Sequence, residues 1–191
     1  MDPAESSELR WTVYGERTLY DSPWVRLTLA DVEPPGGAAR FEHHVVHLFR
    51  VAVAVVLDDQ DRVLMLWRHR FVADAWGWEL PGGIVEAGES GADTAARETL
   101  EETGWRTSNL RHVTTFEPMM GMVDSPHELY LGEASEYAGA PAGSEEAGTV
   151  AWVPLDDVPD LLKRGRLMGS GTLVALLYVL AARAGVSGLE W

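Results

Sequence analysis

Seven acidic side chains crowd the stretch between positions 79 and 102: Glu79, Glu86, Glu89, Asp93, Glu98, Glu101 and Glu102, against a single base, Arg97. On a helix Glu98 and Glu102 stand at i,i+4 and Glu98 and Glu101 at i,i+3, so the three carboxylates share one side. Like charges gathered in this way raise one another's pKa and destabilise the helix unless a cation sits among them. Hard oxygen donors so arranged suit Mg²⁺ or Mn²⁺, and Mg²⁺ characteristically combines a few carboxylates with water and substrate phosphates. Arg97 is spaced to pair with Glu101 or with Glu89 and so to hold the cluster in shape. Just ahead, Gly82 and Gly83 permit the close backbone approach that a phosphate-binding or metal-facing loop needs. A glutamate-rich helix on its own is ordinarily a solvated face. The expectation of chemistry rests on the complete pattern of glycines, acids and arginine.

The helix that positions these groups is marked at both ends. Ser90 is a capping residue, Asp93 favours a first turn, Ala92, Ala95, Ala96, Thr99 and Thr103 share a face, and Gly104 fits the stop. Ahead of it, Val51–Leu57 is a β-branched apolar run that reads as a buried strand ended by the turn Asp58-Asp59-Gln60-Asp61. Val63–Trp67 is its partner, followed by the basic stretch Arg68-His69-Arg70 and a loop through Trp76-Gly77-Trp78. Further strands are expected at His112–Phe116, Glu128–Leu131 and Thr149–Val153. Two closing helices, Val158–Lys163 and Thr172–Arg183, each precede a glycine. The N-terminal part carries three β-prone segments, Trp11–Tyr14, Trp24–Leu29 and Phe41–Val46, with Pro34-Pro35-Gly36-Gly37 as a turn, which suggests a small antiparallel sheet. His43 and His47 flank Val45 and Val46 in the third segment. They read as structural histidines, because a strand does not present i,i+4 positions for chelation. The mixture of strands and helices without regular alternation gives an α+β class in layers. The domain boundary is expected between residues 1–47, the accessory β-rich extension, and 48–191, the main body.

Composition narrows the functions. The chain has 191 residues, 15 Lys+Arg, 30 Asp+Glu and a formal net charge of −15, with 46% hydrophobic residues and no cysteine. The apolar fraction supplies a core for a folded domain. The absence of cysteine excludes disulfides, thiolate metal sites and a cysteine nucleophile. A negative field of this size disfavours nucleic acid as partner. The longest nearly apolar run, Leu173–Ala182, is too short for a bilayer span, and Met1-Asp2-Pro3-Ala4-Glu5-Ser6 has no export-signal character, so a cytoplasmic location and no membrane partner are expected.

The spacing from Gly83 through Glu89, Arg97-Glu98, Glu101-Glu102 and Gly104 resembles the Nudix box at every charged and glycine position. Agreement by chance has odds on the order of 10⁻⁹ per starting point. Thr99, in place of the usual aliphatic residue, and Trp105 at the closing position are mild departures. The likeness extends from about Trp24 to Leu177 and is nearest to the ADP-ribose and nucleotide-sugar pyrophosphatase branch. It rests there on Arg68-His69-Arg70, similar to a "QYR" stretch, on Leu80-Pro81-Gly82-Gly83, similar to "LPAG", and on Trp152-Val153-Pro154-Leu155.

That resemblance implies a Nudix-type α/β/α sandwich with a mixed central sheet, an N-terminal sheet that builds a homodimer, and metal-dependent hydrolysis of a nucleoside diphosphate derivative at its pyrophosphate. It implies Glu98, Glu102 and Glu101, with the Gly82 carbonyl, as ligands of Mg²⁺ or Mn²⁺, and Arg97 holding them. Arg70, with Arg68 of the same stretch, falls on the substrate side. Independently of the resemblance, Phe116, or Trp76 and Trp78, could stack on a base or sugar ring, although aromatics of this kind are more commonly buried. Glu146, or its neighbour Glu145, is the expected general base. Two positions depart from the ADP-ribose pattern, Gly121 where a proline is usual and Arg68 where glutamine is usual, which leaves the substrate within the class open. The alternatives are a nucleoside triphosphate pyrophosphohydrolase that cleans the nucleotide pool and a non-catalytic nucleotide sensor. The intact box carboxylates favour catalysis over the sensor.

Overall fold

The structure is a computed structural model that describes residues 9–141 and 148–189. In chain order the elements are β1 (Thr12–Asp21), β2 (Arg26–Glu33), β3 (Phe41–His47), β4 (Val51–Leu57), β5 (Arg62–Arg70), β6 (Ala75–Glu79), β7 (Gly82–Ile84), α1 (Gly91–Thr103), β8 (Trp105–Phe116), β9 (Val123–Asp124), β10 (His127–Tyr137) and β11 (Thr149–Pro154). A 3₁₀ turn at Leu155–Asp157, α2 (Val158–Lys163) and α3 (Ser170–Arg183) follow. It divides into two compact units, one running to Phe49 and taking in Met119–Ser125, the other comprising the remainder.

In the smaller unit β1, β2 and β3 form an antiparallel meander, and the two-residue β9 adds parallel to β3. Gly36 and Gly37, both at positive φ (84° and 75°), make the turn between β2 and β3. The histidines of β3 are tied within this unit: His43 Nε2 lies 2.8 Å from the Gly121 carbonyl oxygen, and His47 bridges Thr28 Oγ1 and Asp124 Oδ2. β1 runs seven residues beyond the expected Tyr14. It is exposed at every position, so no burial alternation marks it in the sequence.

In the larger unit the sheet order is β11-β5-β4-β10-β8, with β6 paired to β5 and β7 to β4. Only β10 and β4 are parallel; the other pairs are antiparallel, so the sheet is mixed. Alternation along the buried strands gives the sheet two apolar faces. Val53, Val55, Met65, Leu129 and Leu131 pack with Leu176 and Val179 of α3, while Ala52, Ala54, Val56 and Leu64 pack with Ala95 of α1. Helices therefore cover both faces, as the α+β, α/β/α reading requires. No helix among the described residues is long and apolar enough to cross a membrane.

Two segments expected as loops are strands. Trp76-Gly77-Trp78 lies in β6, where cross-strand aromatic contacts hold it to β5: Trp67 and Trp78 have ring centroids 5.4 Å apart, His69 and Trp76 5.3 Å. Gly82-Gly83 lies in β7, laid against Val53 and Ala52 of β4. β8 begins at Trp105, seven residues before the expected start, because Gly104 turns the chain directly from helix into strand opposite Tyr137.

Candidate active site

Helix α1 is capped as its sequence predicts. The Ser90 hydroxyl accepts the Asp93 N–H, and Gly104, left-handed at φ 77°, donates its N–H to the Leu100 carbonyl. Its buried face is Gly91, Thr94, Ala95, Thr99 and Thr103, with Ala92 and Ala96 only partly covered. The buried Thr99 hydroxyl donates to the Ala95 carbonyl at 2.7 Å, so a threonine satisfies its polar atom where an aliphatic residue is usual. At the helix start, Glu128 takes a hydrogen bond from Tyr130 (2.7 Å) and an ion pair from Arg50 (3.1 Å). Glu128 sits so close to Gly91 that a Cβ there would lie 2.1 Å from its Oε2. Burial, and then the bond to Glu128, push the Tyr130 phenol up to about 12.

The other side of α1 carries the acids, and β7 lies against it. A Cβ on Gly83 would lie 2.2 Å from Glu98 Oε1, so the missing side chain is the space the Glu98 carboxylate fills. A Cβ on Gly82 would lie 2.4 Å from the Ala52 carbonyl oxygen, so this glycine is what lets β7 close on β4. Arg97 is the hub of the cluster. Its Nε and Nη2 donate to the two oxygens of Glu89 (2.9 and 3.0 Å), and its Nη1 donates to Glu98 (2.8 Å) and Glu101 (3.1 Å). It thus reaches both acids its spacing suggested, and a third. The Arg97 bonds, seconded by the Thr94 hydroxyl, hold the Glu89 carboxyl at about 2. The same carboxylates raise Arg97 further above its ordinary value, Glu89 first.

A second set of charges approaches from β5 and β6. Arg68 is only 3% exposed, and its Nη2 donates to Glu102 Oε1 at 2.7 Å. The other Glu102 oxygen accepts the Gly82 N–H at 3.1 Å. Arg70 is held by Glu79 through Nε and Nη2, the shortest bond being 2.6 Å, and Arg68 Nε lies 3.7 Å from the same Glu79. Glu79 was not singled out among the candidate site residues, although the signal was present. Read as a strand, Gly77 and Glu79 alternate with Trp76 and Trp78 and fall on the face of Arg68 and Arg70. The structure thus gathers Glu98, Glu101, Glu102, Arg97, Gly82 and Arg68, with Arg70 linked through Glu79. It does not bring Phe116 to them. Phe116 packs edge-on to His127 at 5.5 Å and against the core on the α3 face of the sheet. Glu145 and Glu146 lie outside the described residues.

Among the described residues, five carboxylates (Glu79, Glu89, Glu98, Glu101, Glu102) face three guanidiniums (Arg68, Arg70, Arg97), a formal charge of −2. Among the described residues no three His, Asp or Glu groups converge at metal-ligand spacing. The donors nonetheless fit a hard divalent cation by their chemistry: all are oxygen, two stand one helical turn apart, and they retain uncompensated negative charge.

An α/β/α sandwich with a capped acidic helix seated on a diglycine strand defines a family, and the comparisons agree on which. The NUDIX domain family matches residues 47–170. The chain belongs to that family and is a Nudix hydrolase. It is 50% identical over 172 residues, 90% of this chain and 83% of the relative, to the CMP-5'-(N-acetyl-N-hydroxy-3-aminopropyl)phosphonate hydrolase of Streptomyces rubellomurinus. It is 32% identical to the ADP-ribose pyrophosphatase of Mycobacterium tuberculosis over 90% of this chain and 82% of that one. A solved structure described as an ADP compounds hydrolase superposes with a TM-score of 0.78 at 17% identity, covering 93% of this chain and 96% of that one, which supports the fold. Nudix hydrolases act on nucleotide derivatives and generally use divalent metals.

Proposed function

We propose that the protein hydrolyses the anhydride that joins a nucleoside monophosphate to a second phosphorus-bearing group, with Mg²⁺ or Mn²⁺. ADP-ribose, nucleotide sugars and CMP-linked phosphonates are the substrates to compare. The observation that carries this reading is the placement of Glu98 and Glu102 on one face of α1 against Gly83 and Gly82, with Arg97 and Arg68 compensating them. The relatives named for a CMP-phosphonate and for ADP-ribose both support a nucleotide linked to a further group over a simple triphosphate.

In this reading Glu98, Glu102 and Glu101, with the Gly82 carbonyl, hold the metal. The bound ion supplies neutralisation of the diphosphate charge and acidification of a water. Arg97 keeps Glu98 and Glu101 oriented, and Arg70, half exposed and steadied by Glu79, contacts the diphosphate. Glu146 accepts a proton from the attacking water. The water oxygen bonds to one phosphorus, the bond from that phosphorus to the bridging oxygen breaks, and the bridging oxygen leaves with the other group. The N-terminal sheet, whose edge strand β1 exposes Val13, Tyr14, Leu19 and Tyr20, pairs with a second copy of the chain to form a homodimer.

The test is turnover of ADP-ribose, several nucleotide sugars, a CMP-linked alkylphosphonate and nucleoside triphosphates with each metal, beside Glu102→Gln and Glu146→Gln. Metal-dependent cleavage of one linked nucleotide, lost in Glu102→Gln and slowed in Glu146→Gln, is the expected result. Preferred cleavage of triphosphates would favour the pool-cleaning alternative, and tight binding without cleavage would favour the sensor.

A further inference from the structure

We infer that Arg68 is a built-in counter-charge that lowers the affinity of the substrate-free site for a divalent ion, acting through Glu102; the inference rests on the metal reading of the acidic cluster. Arg68 belongs to the face of β5 that looks toward α1, and at 3% exposure its guanidinium is removed from water. A buried guanidinium is tolerated only against carboxylates, and among the described residues Glu102 lies at 2.7 Å and Glu79 at 3.7 Å. Glu102 is as enclosed as its partner, and its oxygens are taken by Arg68 on one side and the Gly82 N–H on the other. A cation that reaches Glu102 therefore shares that carboxylate with a fixed positive charge or displaces it.

Charge counting points the same way. Among the described residues the cluster carries a formal charge of −2, and glutamine at position 68 would make whatever charge the ion meets one unit more negative. At the effective dielectric of a partly buried site, a unit charge a few ångströms from a divalent ion changes its affinity by at least about tenfold. Arg68 is thus a positioning residue. It keeps Glu102 ordered and nearly neutralised before metal arrives, and it makes occupancy of the site depend on the additional negative charge that a diphosphate brings.

The experiment is Mn²⁺ binding to the full chain without substrate, followed by the loss of the free-ion electron paramagnetic resonance signal. It uses the wild type, Arg68→Gln, Arg68→Lys and Glu102→Gln, with thermal unfolding recorded over the same titration. Arg68→Gln is expected to bind Mn²⁺ about tenfold more tightly than wild type and to show the larger Mn²⁺-dependent rise in Tm. Arg68→Lys, which keeps the charge, should bind like wild type. Equal or weaker binding by Arg68→Gln, tightening in Arg68→Lys to match it, or failure of Arg68→Gln to fold at saturating Mn²⁺ would each overturn the inference. Glu102→Gln separates this from the underlying reading: Mn²⁺ binding unchanged in that variant refutes the metal site itself.

Discussion

Gly82 and Gly83 are adjacent in sequence and strand, yet alanine at each should fail in a different way. An added Cβ at Gly82 meets backbone, 2.4 Å from the Ala52 carbonyl oxygen and 2.9 Å from Val53 Cα. Neither atom can swing aside, so β7 must lift from β4. Overpacking of this kind costs about 1–3 kcal/mol, and the loss should appear as a lower urea midpoint with an unchanged slope. At Gly83 the Cβ meets the far end of a side chain, Glu98 Oε1 at 2.2 Å and Cδ at 2.4 Å. That carboxylate can rotate away, and the unfolded chain loses some freedom on Gly→Ala, so stability should change by less than about 1 kcal/mol. The function should not survive as well if Glu98 holds the metal as proposed, because moving such a carboxylate by about 1 Å costs on the order of 10²-fold in rate. Steady-state turnover with Mg²⁺ alongside urea unfolding reads both effects. Gly83→Ala with wild-type turnover would show that Glu98 does no work where it sits, and Gly82→Ala with wild-type stability would refute the described seating of β7 on β4.

Arg97→Gln leaves Glu89, Glu98 and Glu101 without their shared donor and should destabilise the fold by about 1–3 kcal/mol in urea, with part of the loss recovered on adding Mg²⁺. Arg97 holds the Glu89 carboxyl at about 2, below its ordinary 4.5, so the stability it contributes is present above pH 4.5 and is lost as pH falls toward 2; the gap in urea midpoint between wild type and Glu89→Gln should close over that window. Tyr130 is displaced the other way, to about 12 from 10.0, so its contribution is full below pH 10 and disappears as pH rises through 12; Tyr130→Phe should flatten the alkaline limb, and absorbance titration should show one tyrosine fewer ionising late. If β1 pairs with a second copy, light scattering should give twice the chain mass, and Tyr14→Glu with Tyr20→Glu should give the monomer.

How far the sequence reveals this molecule depends on whether an element is defined locally or by its partner. Val51–Leu57 and Val158–Lys163 have the bounds read from the sequence, and α1 has its cap and stop at Ser90 and Gly104, because apolar runs and capping chemistry are local signals. β6 and β7 differ from the loops expected there because their local signals are weak: four alternating residues in one and two glycines in the other. Trp76–Glu79 is strand because Trp67 and His69 lie opposite, and Gly82-Gly83 is strand because β4 is there to receive it. At the site, spacing placed Glu98, Glu101 and Glu102 together and gave Arg97 two of its three partners, Glu89 and Glu101. It could not give Arg68 to Glu102, 34 residues away, or set Phe116 on the opposite face of the sheet.

The position of the acids along α1 shows why the site needs its arginines. Glu98, Glu101 and Glu102 fall in the last two turns of the helix, where the macrodipole is negative, and the last turn holds no basic residue. Self-repulsion and the dipole both oppose this arrangement, so the helix does not place them there for its own stability. Among the described residues it is offset by Arg97, from within the helix, on Glu98 and Glu101, and by Arg68, from β5, on Glu102. The compensation stops short of neutrality. A cluster fully neutralised by arginine would be stable and indifferent to cations, and one without arginine would strain the helix whenever metal was scarce. In the proposed reading, a balance left negative, −2 among the described residues, would let the chain fold without metal while keeping an electrostatic reason to bind one.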